Sequence, residues 1–133
     1  HRDIYERYYK NTLSQELPGP DWTSLYKIVN EANLLIKYIP RIDAVETTKN
    51  NLLAEAYSLR AYLYFVLVKT WGGVPLRVEP TEGYNPETVQ KGRATVEEVF
   101  KVIKEDLDNA IALFQDNTFW LPGTVSPSRL PIR

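Results

Sequence analysis

Apolar residues recur at helical spacing in three separate stretches of the chain. In the first, Trp22, Leu25, Tyr26, Val29, Ala32, Leu35, Ile36 and Ile39 fall three or four positions apart, the interval that puts side chains on one helix face. Asp21 is a suitable N-cap, and Pro40 ends the pattern because the residue before a proline avoids the right-handed helical region. In the second, Leu52, Leu53, Ala56, Leu59, Leu63, Leu67 and Trp71 form a stripe that Tyr57, Ala61, Tyr64 and Phe65 widen, so burial on more than one side is expected. Asp43 followed by Glu46 resembles a capping box at its start, and Gly72 with Pro75 supplies its end. The third opens on a capping box, Thr95 and Glu98. Its apolar face is Val96, Val99, Phe100, Ile103, Leu107, Ala110, Ile111 and Phe114. Its solvated face is Glu97, Lys101, Lys104, Glu105 and Asp108, with Glu97 and Lys101 spaced as an ion pair.

These patterns predict helices over about 21–39, 43–71 and 95–115, and an all-α fold. The first two are joined by only about three residues, which makes them antiparallel neighbours. Ala54, Ala56 and Ala61 are small where such helices would touch, as in a TPR-like pair, although no 34-residue signature repeats. Between the second and third helices, residues 72–93 form a long connection. Gly72 or Gly73 is expected at positive φ, since the chain must leave the helix in one step, and Val74 to Val78 is expected to be extended. Gly83, Asn85 and Pro86 mark turns. Residues 1–21 are Tyr-rich and end in Leu17-Pro18-Gly19-Pro20; they fit either an extended segment or a short helix. Residues 117–133, with three prolines and one glycine, form a loop-like tail. The helical unit is thus 22–116.

Composition narrows the chemistry. Of 133 residues, 44% are apolar, enough for a core, and the formal net charge of −1 gives no basic excess to attract nucleic acid or anionic membrane surfaces. There is no cysteine and the one histidine is His1, which excludes thiol catalysis, disulfides, Cys-based zinc sites and a Ser-His-acid triad within these residues. The longest apolar run, Tyr62 to Val68, is too short to span a membrane. No methionine occurs, as expected of a trimmed chain whose targeting signal would lie upstream.

No residue set points to catalysis or to a bound metal or cofactor. Glu55 and Arg60 are five apart and do not face each other, so a structural role in bonding a loop or neighbouring helix is the better reading. Asn33, a polar residue on a packed helix, follows the same logic. Glu105, Asp106 and Asp108 point in different directions and read as a solvated face. Gly72-Gly73 lacks the Lys-Ser/Thr or third glycine of a phosphate loop. Trp22, Tyr26 and Trp71 lie on apolar stripes and are expected in the core with their polar tips satisfied. Tyr5, Tyr8 and Tyr9 belong to no stripe and are the candidate carbohydrate contacts.

Three segments in order resemble the SusD/RagB family. Trp22-x-x-Leu25-Tyr26-x-x-Val29-x-x-Ala32-Asn33 is similar to its W-x-x-L-Y-x-x-I-x-x-A-N helix. Ala54-Glu55-Ala56-Tyr57-Ser58-Leu59-Arg60-Ala61-Tyr62-Leu63-Tyr64-Phe65, then Trp71-Gly72-Gly73-Val74-Pro75-Leu76, resembles A-E-A-x-F-L-R-A-x-x-Y-F running into Y-G-G-V-P-L. Arg93-Ala94-Thr95-Val96-Glu97-Glu98-Val99-Phe100, with Ile103, Asp106-Leu107 and Ala110, is similar to R-x-T-x-E-E-V-Y-x-x-I-x-x-D-L-x-x-A. The resemblance covers 22–114. It implies a TPR-like scaffold in a cell-surface lipoprotein that binds glycans or other nutrients, without breaking bonds, for import. The implied partner is a SusC-like TonB-dependent transporter in the outer membrane. Membrane attachment would come only through an upstream lipidated cysteine, and the oligosaccharide would sit mainly on parts of the protein beyond these residues. The alternative is a TPR-like protein-interaction module with no sugar ligand.

Overall fold

The structure, a computed structural model, describes residues 6, 9, 10, 12, 22–83 and 91–114. Three α-helices follow one another: α1 (Thr23–Tyr38), α2 (Glu46–Trp71) and α3 (Val96–Leu113), with a one-turn 3-10 helix, Ile39–Arg41, after α1. Among the described residues there is no strand, so the chain is all-α as expected. The short link after the 3-10 turn folds α2 back along α1, and α3 packs on α2, so α2 is the central element. Val29, Tyr64, Leu67, Val74 and Val99 are completely buried where the three helices and the chain after α2 meet. Ala54, Ala56 and Ala61 are at most 2% exposed, which lets neighbouring backbones approach α2 closely.

The helix ends correct three expectations. Asp21 lies outside the described residues; Trp22 occupies the N-cap of α1 and makes no side-chain cap bond. Asp43 does not cap α2. The 3-10 turn, which carries Pro40 and keeps Ile39 helical at φ −52° and ψ −41°, delays the next helix until an extended Val45 at φ −60° and ψ 138°. Glu46 then lies in the first turn, where a carboxylate suits the helix dipole, and pairs with Lys49 at 2.9 Å. On α3, Lys101 pairs with Glu105 at 3.9 Å rather than with Glu97, and Lys104 with Asp108 at 2.6 Å. The Thr95–Glu98 capping box is formed: the Glu98 amide donates to Thr95 Oγ1 at 3.2 Å and the Thr95 amide to Glu98 Oε2 at 2.8 Å.

Gly72 has φ +70° and ψ −135°, so the chain leaves α2 through a positive φ, as expected. Gly73 serves another purpose: a Cβ there would lie 2.3 Å from the Ala94 carbonyl oxygen. That closeness brings the start of α3 against the exit of α2, where the Ala94 amide donates to the Val74 carbonyl at 3.1 Å. The apolar stripes are wider than the core. Leu52, Leu59 and Phe65 on α2, and Phe100, Leu107 and Ile111 on α3, remain 37–62% exposed.

Candidate functional site

The chain from Val74 to Glu82 runs without helix or sheet partners, so its backbone polar groups need other bonding. Helix side chains supply it. The Tyr26 hydroxyl donates to the Pro75 carbonyl at 2.6 Å. The Tyr64 hydroxyl accepts from the Arg77 amide at 2.6 Å and donates to the Arg77 carbonyl at 3.0 Å. Asn33 Nδ2 donates to the carbonyls of Arg77 and Glu79, at 2.8 and 3.3 Å. Asn30 Oδ1 accepts from the Thr81 amide at 2.7 Å. At the far end Lys37 pairs with Glu82 at 2.6 Å, and the Tyr38 hydroxyl donates to the same carboxylate. Tyr26, Asn30, Asn33 and Lys37 are four, three and four residues apart, so one face of α1 grips the segment. Burial raises the hydroxyl pKa of both Tyr26 and Tyr64, which keeps both groups protonated as donors.

Behind this segment lies a buried ion pair. Arg60 from α2 donates through Nε and Nη2 to the two carboxylate oxygens of Asp106 from α3, at 2.8 and 2.7 Å. Its Nη1 reaches Asn33 Oδ1 at 2.7 Å and the Val78 carbonyl at 3.1 Å. The side chains of Arg60 and Asp106 are only 8% and 3% exposed. Burial alone would lower the arginine pKa; the hydrogen bonds and charge of Asp106 outweigh it, and the net shift is upward. One guanidinium therefore ties together all three helices and the segment after α2. Asp106 is not part of a solvated face: it occupies the stripe of Val99, Ile103 and Ala110 and faces α2.

Tyr64→Phe isolates one part of this clamp. It removes a hydroxyl that both donates to and accepts from Arg77, so the Arg77 amide loses this acceptor while its carbonyl keeps the Asn33 donor. The expected loss is about 1–3 kcal/mol of unfolding free energy, read from urea titration. An unchanged midpoint would mean that water satisfies Arg77 equally well.

In front of the clamp, Trp22, Tyr26, Lys27, Asn30, Glu31, Arg77 and Thr81 line a groove of about 440 Å³. Trp22 meets Tyr26 edge to face and Trp71 at a tilt, both with ring centroids 5.9 Å apart. Arg93, otherwise exposed, lies 5.2 Å over the Trp22 ring, and Arg77 lies 5.8 Å over Tyr26. Aromatic surface beside amide, ammonium and carboxylate groups suits a polyhydroxylated ligand. Among the described residues no group of three His, Cys, Asp or Glu side chains could hold a metal ion. No helix there is long and apolar enough to cross a membrane.

The structure thus brings Trp22, Tyr26, Trp71 and Arg93 into one cluster and Asn33, Arg60 and Asp106 into another, joined by the exit through Gly72, Gly73 and Pro75. Glu55 stays apart, exposed on α2. Tyr5 and Tyr8 lie outside the described residues, and Tyr9 is 91% exposed. The sequence reading missed Asn30 as a clamp residue, although its spacing from Tyr26 and Asn33 places it on their face.

Comparison with known proteins agrees with this architecture. The profile of a SusD-like family described as "Starch-binding associating with outer membrane" matches residues 2–126. SusD-like protein P38 of Formosa agariphila is 35% identical over 67% of this chain and 17% of its own length. Among solved structures, B. fragilis NanU superposes with a TM-score of 0.75 at 35% identity, over 86% of this chain and 22% of that one. A laminarin-binding SusD-like protein superposes with a TM-score of 0.65 at 30% identity, over 82% and 22%. The chain therefore spans about a fifth of the length of these relatives. With the profile matched along nearly all of it, this chain belongs to the SusD-like family.

Proposed function

We propose that this chain is the helical scaffold of a glycan-capturing protein that acts at the outer membrane and breaks no bonds. The observation that carries this reading is the family match over residues 2–126, supported by the likeness to a structure described as laminarin-binding. The captured oligosaccharide would pass to a SusC-like TonB-dependent transporter, with a lipid anchor upstream holding the protein at the cell surface. In this reading the residues described above chiefly keep a long segment, 74–82, in one shape. Two places in the chain offer sugar contacts: the groove beside Trp22 and Tyr26, and the Tyr-rich stretch with Tyr5, Tyr8 and Tyr9.

Calorimetry tests this on two proteins, the 133-residue chain and the product of the complete reading frame, against laminarin and a panel of plant, host and microbial glycans. The longer protein is expected to bind at least one glycan, and this chain to bind it at least about tenfold more weakly, a difference of about 1.4 kcal/mol. Tyr8→Ala with Tyr9→Ala in the longer protein is expected to weaken binding relative to the unsubstituted longer protein. Equal affinity of the two proteins would place the whole site within these residues. No binding by either would favour an interaction module without a sugar ligand.

A further inference from the structure

We propose that residues 74–82 form a strap that opens from its Glu82 end while the three helices stay folded, with the Glu82 carboxylate as its latch. The two ends of the strap are held by different physics. At the inner end Val74 is completely buried, its carbonyl accepts from the Ala94 amide at 3.1 Å, and the close approach at Gly73 brings the start of α3 against it. Residues 77–79 are bonded by Tyr64, Asn33 and Arg60, each at most 7% exposed. Water competes poorly for bonds in such a setting.

The outer end is wet. Thr81 is held by the half-buried Asn30, which accepts from its amide at 2.7 Å and donates to its carbonyl at 3.4 Å. Glu82 bonds Lys37 at 2.6 Å and the Tyr38 hydroxyl, with side-chain exposures of 41% for Glu82 and 34% for Lys37. Arg41, 5.4 Å over the Tyr38 ring, adds a second positive charge to the same corner. Exposed ion pairs are weak and screened by salt, so this end releases first. Gly83, the next residue, has φ +79°, so the chain turns directly beyond the latch. Strap residues line a cavity on each side. Pro75, Arg77 and Thr81 line the groove beside Trp22 and Tyr26; Val78, Glu79 and Pro80 line a second cavity of about 390 Å³, which Arg60 and Asp106 share. The α1 wall of the groove is thus fixed and the Thr81 wall movable, whatever ligand it takes. The ion pair stays covered while the bonds at 77–79 hold. Local opening of this kind needs far less free energy than global unfolding.

Hydrogen exchange tests this on the 133-residue chain by NMR and on the product of the complete reading frame by mass spectrometry. With intrinsic rates divided out, the Thr81 amide is expected to exchange at least about tenfold faster than the Arg77 amide, and Arg77 faster than Leu63 within α2. Low urea should speed Leu63 and leave Thr81 nearly unchanged, because local opening exposes little surface. In the longer protein a peptide spanning the strap should exchange faster than one from α2. Glu82→Gln should speed Thr81 exchange about two- to fivefold, the range for an exposed ion pair, and leave Arg77 and Leu63 unchanged. Lys37→Gln, from the other side of the pair, should reproduce it. Raising salt from about 0.05 M to about 0.5 M should speed Thr81 exchange in the unsubstituted protein and not in Glu82→Gln. Strap and α2 amides exchanging at one rate, in either protein, would overturn the proposal, as would Glu82→Gln speeding Arg77 as much as Thr81. Unchanged Thr81 exchange in both charge variants would remove the latch and overturn it equally.

Discussion

Arg60→Met is expected to lower the unfolding free energy by about 3–5 kcal/mol, because it strands the Asp106 carboxylate as an unpaired buried charge. A loss of that size approaches the whole stability of a small domain, about 5–15 kcal/mol. The informative variant is the double one, Arg60→Met with Asp106→Leu. Removing both charges also removes both desolvation penalties, so the double variant should be more stable than either single one. It should not fully regain the native value. Asn33 Oδ1 and the Val78 carbonyl lose their donor along with the guanidinium, at about 1–3 kcal/mol for a buried acceptor left without a partner. Urea titrations of the four proteins, followed by far-UV circular dichroism, complete the cycle. A double variant no more stable than Arg60→Met would show that Arg60 acts through its bonds to Asn33 and Val78, with Asp106 incidental. The folded arginine pKa is raised, so its contribution is complete below the unfolded value and disappears only as pH climbs through the raised one. Arginine remains charged at any ordinary working pH, so its side of the pair gives the stability no pH dependence there.

Helices were legible in the sequence because their evidence is local: stripe spacing, the Thr95 capping box and the glycine after Trp71 all act within a few residues. Starts were less legible where tertiary context decides them. The Ile39–Arg41 turn displaces the beginning of α2 past Asp43, and no propensity in Asp43 or Glu46 reveals it. The Arg60–Asp106 pair was recognisable only as residues of a family pattern, and Asp106 was misplaced because its acidic neighbours Glu105 and Asp108 suggested a solvated face. A better signal was present. Asp106 stands four residues before Ala110 and three after Ile103, and Arg60 four after Ala56 and four before Tyr64. A charged residue in register with the apolar stripe of its own helix, matched by one of opposite sign in another helix, indicates a buried pair. The clamp on residues 74–82 was invisible for a different reason. Its bonds end on backbone carbonyls and amides, which every sequence possesses, and only the fold decides which of them lie opposite Tyr26, Asn33 and Tyr64.

The Gly72-Gly73 step should tolerate substitution poorly, and its two halves should fail differently. At Gly72 nothing lies within 4 Å of an added Cβ, so any loss comes from the backbone alone. Its φ of +70° and ψ of −135° lie outside the left-handed helical region, whose ψ is about +47°. Asn tolerates that helical region but gains little at this ψ. Gly72→Val and Gly72→Asn are therefore both expected to cost about 1–3 kcal/mol, with no rescue by Asn. At Gly73 the obstacle is steric: the Ala94 carbonyl oxygen lies 2.3 Å, and its carbonyl carbon 3.5 Å, from the added Cβ. Backbone cannot swing aside like a side-chain tip, so Gly73→Ala must push the start of α3 away from the α2 exit, at about 1–3 kcal/mol for overpacking. Hydrogen exchange separates the two. Gly73→Ala should deprotect the Ala94 amide, which donates to Val74, and loosen the first turn of α3; Gly72→Asn should leave both as protected as overall stability allows. If the Ala94 amide stays protected in Gly73→Ala, the approach of α3 does not depend on the missing side chain. If Gly72→Asn matches the native midpoint, the residue at the exit adopts a left-handed helical turn instead of the conformation described.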